Sequence, residues 1–387
     1  MSFLILTLAG VFLFKANAER WCPFGGVEAL YTYMTEGNLV CSLAVSNFYI
    51  LAAVLVITLW LRRAFCGYAC PIGTISEGLQ RGASRLGLKP VRVPPALDQG
   101  LSLLKYAMLV IILYFTWRSD ELIFRSFDPC YALLSRHGED ITFWAYIVAG
   151  SVITASLFIT LPFCRWFCPL AAVLNLFSRF GIARIQRNPD VCTRCAKCVK
   201  SCPMAIPVDS VQSVTHARCT SCFDCMGNCP EEKKGALTWN WLGIRAPSTQ
   251  ARKRWARTTV ISFFLLVMTI AVSAAYLSPL PSFIWTRGDP SEKPAVISLK
   301  MENLGCRGNA TQLTYFLDRD DELEIPGYIR VEAWPGPGLG QASIFFDPDL
   351  TNETRLKMAI TEAYYDATAG FWRSSPFKID GYDPLGL

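Results

Sequence analysis

Three stretches of this chain contain no charged residue: 37–61 (GNLVCSLAVSNFYILAAVLVITLWL), 141–164 and 258–286. As helices rising 1.5 Å per residue, each is long enough to cross the ~30 Å hydrocarbon core of a bilayer. A helix also satisfies its backbone groups within the segment itself, as hydrocarbon requires. Residues 99–117 (QGLSLLKYAMLVIILYFTW) read as a further span, with Lys105 near one end, placed to extend its ammonium to the interface. Residues 1–14 are apolar but short, and Ala-Asn-Ala at 16–18 has the form of a signal-peptidase site. No basic residue precedes that run, which favours a retained first helix and about five transmembrane helices in all. A hydrophobic content of 52% over 387 residues agrees with a polytopic membrane protein.

Positive charge orients the spans. Six basic residues lie between Arg62 and Arg92 (Arg62, Arg63, Arg81, Arg85, Lys89, Arg92), and 165–257 holds many more, whereas 19–45 holds only Arg20. The positive-inside rule places 62–95 and 165–257 in the cytoplasm of a bacterial inner membrane and everything after 286 in the periplasm. The net charge of +6 shows no basic stripe interleaved with aromatics, so nucleic acid is not an expected partner.

The spans repeat. One helical pair carries an outer WCPFGGVEALYTYM and an inner FCGYACP; a second carries an outer FDPCYALLSRHG and an inner FCRWFCP. Each half therefore ends on Cys-x3-Cys-Pro. Duplicated pairs of this kind build sites at their interface. After each inner motif, ISEGLQRGASRLGL and AAVLNLFSRFGIARI have the apolar spacing and basic residues of amphipathic helices on the membrane face.

Of the sixteen cysteines, eight fall in two segments, VCTRCAKCVKSCP from 191 and RCTSCFDCMGNCP from 218. Both read C-x2-C-x2-C-x3-C-P, the bacterial ferredoxin spacing in which the fourth cysteine serves the other cluster. The spacing assigns Cys192, Cys195, Cys198 and Cys229 to one [4Fe-4S] cluster and Cys219, Cys222, Cys225 and Cys202 to a second. Four thiolates also suit zinc, but two copies with the x3-C-P tail favour iron–sulfur. Thiolate ligands need a reducing compartment, in agreement with the charge argument. Arg194, Lys197, Lys200 and Arg218 among the ligands are placed to attract an acidic electron donor.

These motifs, the paired Cys-x3-Cys-Pro signatures and CPFGGVEALYTY together resemble the NapH/MauN/NosR-like membrane ferredoxin family over residues 1–285, including the polyferredoxin-like subunits of bacterial iron or copper uptake systems. The resemblance implies electron transfer along or across the inner membrane, from a cytoplasmic or quinol donor toward a periplasmic partner. NosR-like members add a periplasmic flavin-binding domain, for which this chain shows no counterpart.

The last hundred residues are different. AVISLKM, ATQLTYFLD, YIRVEAW, ASIFFDP, ETRLKMAITEAYY and PFKIDGY read strand, helix, strand, strand, helix, strand, an α+β ferredoxin-like order. This part resembles the heavy-metal-associated domain of copper carriers and pumps, whose first loop carries Cys-x2-Cys; GCRGN here offers only Cys306 as a weak candidate. The expected domains are thus a first hairpin (1–95), a second hairpin (96–185), a 2[4Fe-4S] domain (186–245), a last transmembrane helix (255–286) and a periplasmic domain (290–387).

Cytoplasmic clusters reach a periplasmic partner only through a relay. The two histidines, His137 and His216, fall in loops, which argues against a haem inside the bundle. Cys66, Cys70, Cys164 and Cys168 form two i,i+4 pairs at the inner ends of helices, each pair on one helical face and able to meet at a further iron–sulfur or metal centre. Cys22 and Cys130 occupy matching outer turns, as a cofactor pair or a disulfide. The helix-breaking role of the prolines and the packing role of buried cysteines are the plain alternatives. No nucleophile–base triad, phosphate-binding glycine loop or carboxylate pair is recognisable. The expected function is an electron carrier or oxidoreductase subunit serving a periplasmic redox or metal-carrier protein. The alternative is a metal-handling or assembly factor with redox-sensing clusters.

Overall fold

A computed structural model of the chain describes residues 22–36, 42–91, 93–119, 124, 127–134, 142–245, 252–277, 280–281, 283–287, 294–305, 307–318, 325–336, 338–366 and 370–382. The expected helix at 1–14, His137 and Cys306 lie outside the described residues. The chain forms two compact units, one of residues up to 28 with 47–273, the other of 29–46 with 274–387.

The first unit contains ten helices among its described residues before its sheet: α1 (Pro23–Glu36), α2 (Ser42–Leu61), α3 (Ala64–Tyr68), α4 (Pro71–Arg85), α5 (Pro95–Leu101), α6 (Leu104–Ser119), α7 (Pro129–Leu134), α8 (Phe143–Phe158), α9 (Pro162–Trp166) and α10 (Pro169–Ser178). On α2, Ile50, Leu51, Val54, Ile57 and Leu61 form a buried face at helical spacing. On α6 and α8, Val110, Tyr114, Trp117, Phe143, Trp144 and Ile147 point outward and exposed, an apolar surface suited to lipid. Pro95–Arg118 and Lys253–Leu277 are long and apolar enough to cross a membrane, while Ser46–Leu61 and Phe143–Phe158 are apolar but shorter.

Both shorter helices stop for a local reason. After α2, Arg62 takes φ 60°; after α8, Leu161 takes φ 51°, a left-handed conformation that no helix continues. A five-residue helix follows each break. The helix expected to carry both cysteines of each signature in fact ends between them. Pro71 and Pro169 hold the preceding cysteine in extended backbone. The two copies share one geometry: Ala69 at φ −114°, ψ −28° matches Phe167 at −115°, −26°, and Cys70 at −64°, 118° matches Cys168 at −64°, 115°.

The cysteine-rich segment folds on a four-stranded antiparallel sheet ordered β2-β1-β3-β4, with β1 Arg184–Arg187, β2 Ser213–Val214, β3 Leu237–Trp241 and β4 Ile244–Arg245. Two single-turn helices, α11 (Lys197–Lys200) and α12 (Asp224–Gly227), follow equivalent cysteines. The long helix α13 (Arg252–Leu277) comes next. An aromatic ladder binds these parts. The Trp239 ring stands 5.3 Å from Phe223, 6.0 Å from Trp241 and 5.8 Å from Trp255, and Trp241 reaches Trp60 of α2 and Phe263 of α13.

The second unit has a five-stranded antiparallel sheet ordered β11-β6-β8-β7-β5, made of β5 (Phe283–Thr286), β6 (Ala295–Glu302), β7 (Tyr328–Trp334), β8 (Leu339–Phe346) and β11 (Lys378–Ile379). Helices α14 (Arg307–Leu317) and α15 (Glu353–Thr361) complete it, and β9 (Tyr364–Asp366) pairs with β10 (Phe371–Arg373). Leu299, Met301, Phe316, Val331 and Ile344 form its core. Apart from the β9–β10 hairpin, the order from β6 to β11 is strand, helix, strand, strand, helix, strand, with β5 added beside β7.

Trp239 is 1% exposed at the centre of the ladder. Trp239→Ala should cost about 3–5 kcal/mol, measured as a lowered denaturation midpoint of the solubilised protein; an unchanged midpoint would show that the ladder bears no load.

Candidate functional site

The eight motif cysteines line two cavities of similar size. One, of about 350 Å³, is lined by Cys192, Cys195, Cys198 and Cys229, with Arg187 and Asp209. The other, of about 340 Å³, is lined by Cys202, Cys219, Cys222 and Cys225, with Ile185, Met204 and Phe223. The crosswise grouping expected from the spacing is therefore the grouping in space. Among the described residues no three His, Cys, Asp or Glu side chains stand close enough to hold a single metal ion. Four thiols around each cavity, supplied crosswise by two copies of the C-x2-C-x2-C-x3-C-P spacing, fit an iron–sulfur cluster better than zinc.

The backbone around each cavity repeats as well. Arg194 and Ala196 have φ of 54° and 56°; their equivalents Ser221 and Phe223 have 51° and 61°. These left-handed residues turn the chain around the cavity, so that main-chain amides face sulfur: Lys197 toward Cys195, Asp224 toward Cys222, Ile206 toward Cys202. The cavities differ in exposure. Cys195 is exposed, and the Lys197 amide holds its thiol below the ordinary value. Burial pushes Cys202 up to about 11 and Cys222 up to about 12. Arg194, Lys197 and Lys200 are exposed beside the first cavity, but Arg218 is not; it is 7% exposed and engaged inside the protein. The expectation that Arg218 helps attract a donor is corrected by that burial.

The second cavity rests on both Cys-x3-Cys-Pro signatures. The Arg63 amide donates to the Cys219 carbonyl (3.1 Å), the Tyr68 hydroxyl to the Ser221 carbonyl (2.9 Å) and the Ser221 hydroxyl to the Leu61 carbonyl (2.8 Å). Gly67 packs so closely that a Cβ there would lie 2.9 Å from the Thr220 carbonyl oxygen. From the second signature, Arg165 and Trp166 reach Asp98 of α5: Arg165 Nε at 3.1 Å and Trp166 Nε1 at 2.8 Å, both to Oδ1. Arg218, beside Cys219, donates to Oδ2 of the same carboxylate. Asp98 thus ties the second signature to the cavity loop. Asp224 ties the same loop to α13 through Lys253 (3.0 Å) and Arg257 (3.1 Å).

The two signatures also meet. The Cys70 and Cys164 thiols hydrogen-bond each other, and Cys66 and Cys168 are charged neighbours of both. Arg63, 0% exposed, lies among them, donating to the Cys66 sulfur (3.5 Å) and to Asn175 Oδ1 (3.3 Å), with its Nε unpartnered. No carboxylate pairs with Arg63 among the described residues. A guanidinium keeps its proton, and a buried charge needs a counter-charge. The four sulfurs are the groups placed to carry it. Lys105, expected to reach the interface, is instead 1% exposed, with Cys168 and Asp98 among its charged neighbours.

Cys22 and Cys130 do not stand apart from this group. Cys130 has Asp128, Cys70, Cys22 and Cys168 as charged neighbours. Both belong to the same buried environment as the inner thiols. CPFGG matters here because a Cβ at Gly26 would lie 2.3 Å from the Asn47 carbonyl oxygen of α2. The sequence reading missed Asp98, Arg63 as a thiol partner, and the buried acids Glu28 and Asp128; charges inside or beside apolar runs were the available signal.

Comparison with known proteins agrees with this geometry. A family described as a 4Fe-4S binding domain matches residues 43–89 and again 141–188, the two helical pairs that carry the signatures. A 4Fe-4S dicluster domain matches residues 184–230. The chain is similar to YccM of Escherichia coli (strain K12), provisionally named for electron transport, with 28% identity over 286 residues, 70% of this chain and 77% of that protein. It is similar to the methylamine utilization ferredoxin-type protein MauN of Methylobacillus flagellatus, with 28% identity over 209 residues, 50% of this chain and 66% of that protein. Against the ferredoxin-type protein NapH of Escherichia coli the identity is 23% over 238 residues, 58% of this chain and 79% of that protein. No solved structure matches. Two matched iron–sulfur domains on a frame with two helices long and apolar enough to cross a membrane fit a ferredoxin-type membrane protein. The similarity supports the NapH/MauN/NosR-like family of such proteins.

Asp98→Asn removes the charge that two buried arginines share. The variant should lose about 3–5 kcal/mol, seen as a lowered midpoint in thermal denaturation; retention of the wild-type midpoint would show that Arg165 and Arg218 have other counter-charges. Gly67→Ala should cost about 1–3 kcal/mol through overpacking and should make the Cys219 cavity more open to iron chelators than in the wild type, while iron retention equal to wild type would contradict the close seat.

Proposed function

We propose that the chain carries electrons between a donor docked at the Cys195 side of the ferredoxin domain and a partner beyond the membrane. In this reading Cys192, Cys195, Cys198 and Cys229 ligate one [4Fe-4S] cluster and Cys219, Cys222, Cys225 and Cys202 another. Cys66, Cys70, Cys164 and Cys168 ligate a third centre. Such clusters, when bound, take up and release single electrons. The observation that carries the reading is Arg63, a buried cation whose partners include the Cys66 thiol and whose surroundings hold no paired carboxylate. Its charge calls for thiolates, and a thiolate group of this size is what a cluster supplies.

The residues around the sites support the same route. Arg194, Lys197 and Lys200 offer an exposed basic face to an acidic donor. The hydrogen bonds of Arg63, Tyr68 and Ser221 hold the buried cavity on the signatures, which shortens the distance an electron must travel. We place the ferredoxin domain in the cytoplasm and the second unit in the periplasm, on the positive-inside rule, with about five spans in the inner membrane. The second unit, which resembles heavy-metal-associated domains, then serves as the docking domain for a periplasmic redox or metal-carrier protein.

Anaerobically purified protein should contain about twelve iron atoms per chain, and Cys66→Ser/Cys168→Ser about eight, with the ferredoxin-type EPR signals kept. Eight in the wild type would remove the third centre. Absence of reducible [4Fe-4S] signals altogether would remove the electron-transfer reading and favour metal handling.

A further inference from the structure

The buried thiol group is charged unevenly. Arg63 and Lys105 lie on the side facing the ferredoxin domain, whereas the opposite side carries two carboxylates, Glu28 and Asp128. Glu28 is 2% exposed. Its Oε1 accepts from the Thr116 hydroxyl (3.1 Å) and from the Phe124 amide (3.3 Å), the two hydrogen bonds its carboxylate makes among the described residues. Asp128, 8% exposed, accepts from the Cys130 amide (2.9 Å) at the start of α7. Neither carboxylate pairs with a cation among the described residues.

Position matters as much as charge. Thr116 lies near the end of α6, eighteen residues beyond Asp98 of α5 in the apolar stretch Pro95–Arg118. Glu28 therefore stands at the end of that helix remote from the ferredoxin domain. Between the two ends come Cys70 and Cys168 and then Cys22 and Cys130, and the neighbours of Cys22 include both acids. Among the described residues the groups facing Glu28 are Cys22 before α1, Thr116 of α6, the Phe124 amide and Asp128 ahead of α7; Lys105 is three turns from Thr116 on α6.

We propose that Glu28 is a proton-binding site that couples reduction of the Cys66/Cys70/Cys164/Cys168 centre to proton uptake from the side of the protein remote from the ferredoxin domain. The inference rests on the third centre proposed above. One electron arrives from the ferredoxin domain and one proton arrives from water. A centre held by the four thiols would gain that electron, the proton would form an O–H bond on the Glu28 carboxylate, and the net charge of the buried region would be unchanged. Without the proton, a new negative charge would share a low-dielectric interior with Asp128, a neighbour of Cys70, and Glu28, a neighbour of Cys22, which is unfavourable. Burial already pushes Glu28 up to about 7, where a small added field tips its protonation. Asp128 is less suited, because its oxygens hold the amides that open α7.

The test uses the full chain in lipid nanodiscs, with the third EPR signal titrated electrochemically from about pH 6 to 8. The wild type should be flat below about pH 7, where Glu28 already holds its proton, and above it should approach a tenfold change in the reduction equilibrium per pH unit, about 59 mV for one electron. Glu28→Gln should be flat and Glu28→Asp should keep the slope, while the two ferredoxin signals keep their wild-type behaviour in all three. Should Glu28→Gln fail to assemble, Thr116→Val should move the pH profile upward, since the carboxylate loses a donor; an unmoved profile overturns the proposal. A pH-independent third signal in the wild type, or a slope kept in Glu28→Gln, also overturns it. A missing third signal, with only eight iron atoms, removes the underlying centre instead.

Discussion

The carboxylate of Asp98 is the point on which the first unit is organised. It is buried, and it accepts from Arg165 and Trp166 of one Cys-x3-Cys-Pro signature and from Arg218 next to Cys219. Two buried guanidinium groups converge on it, and neither would be tolerated there alone. A single side chain of α5 thereby fixes the ferredoxin loop against the helical bundle. The first signature completes the seat without charge, through main-chain hydrogen bonds and the missing side chain at Gly67.

That seat explains the Cys-x3-Cys-Pro spacing. The first two residues after the leading cysteine, Gly67 and Tyr68 or Arg165 and Trp166, close a five-residue helix and reach the cavity loop or Asp98. The proline then starts a new helix and leaves its cysteine in extended backbone, pointing toward the other copy. Duplication produces two such corners with matching dihedral angles. Their sulfurs meet because the corners face each other, and the buried Arg63 guanidinium lies among them.

The charge gradient across the bundle follows from the same economy of partners. Arg63 and Lys105 lie where the ferredoxin domain is seated, and Glu28 and Asp128, with no paired cation among the described residues, lie at the opposite end of α6. Buried charges without a pair concentrate at functional sites.

Some of this was legible in the sequence. Cysteine spacing is a local property. The x2-x2-x3 intervals set the reach of each loop, so the crosswise grouping of eight thiols around two cavities could be read from the letters alone. Apolar runs likewise announced the helices, and the repeated Cys-Pro announced the duplication. What escaped was everything that depends on which residues meet across hundreds of positions. Arg218 and Lys105 read as surface cations, because a basic residue near a motif or a helix end is usually solvated; only folding brings Asp98, 120 residues away, to Arg218. Helix ends were misplaced for a related reason, since the left-handed turns at Arg62 and Leu161 arise from packing at residues with no intrinsic preference for them. Periodicity and ligand spacing act through the covalent chain and so belong to the sequence. The pairing of buried charges acts through space, and only the tertiary structure decided it.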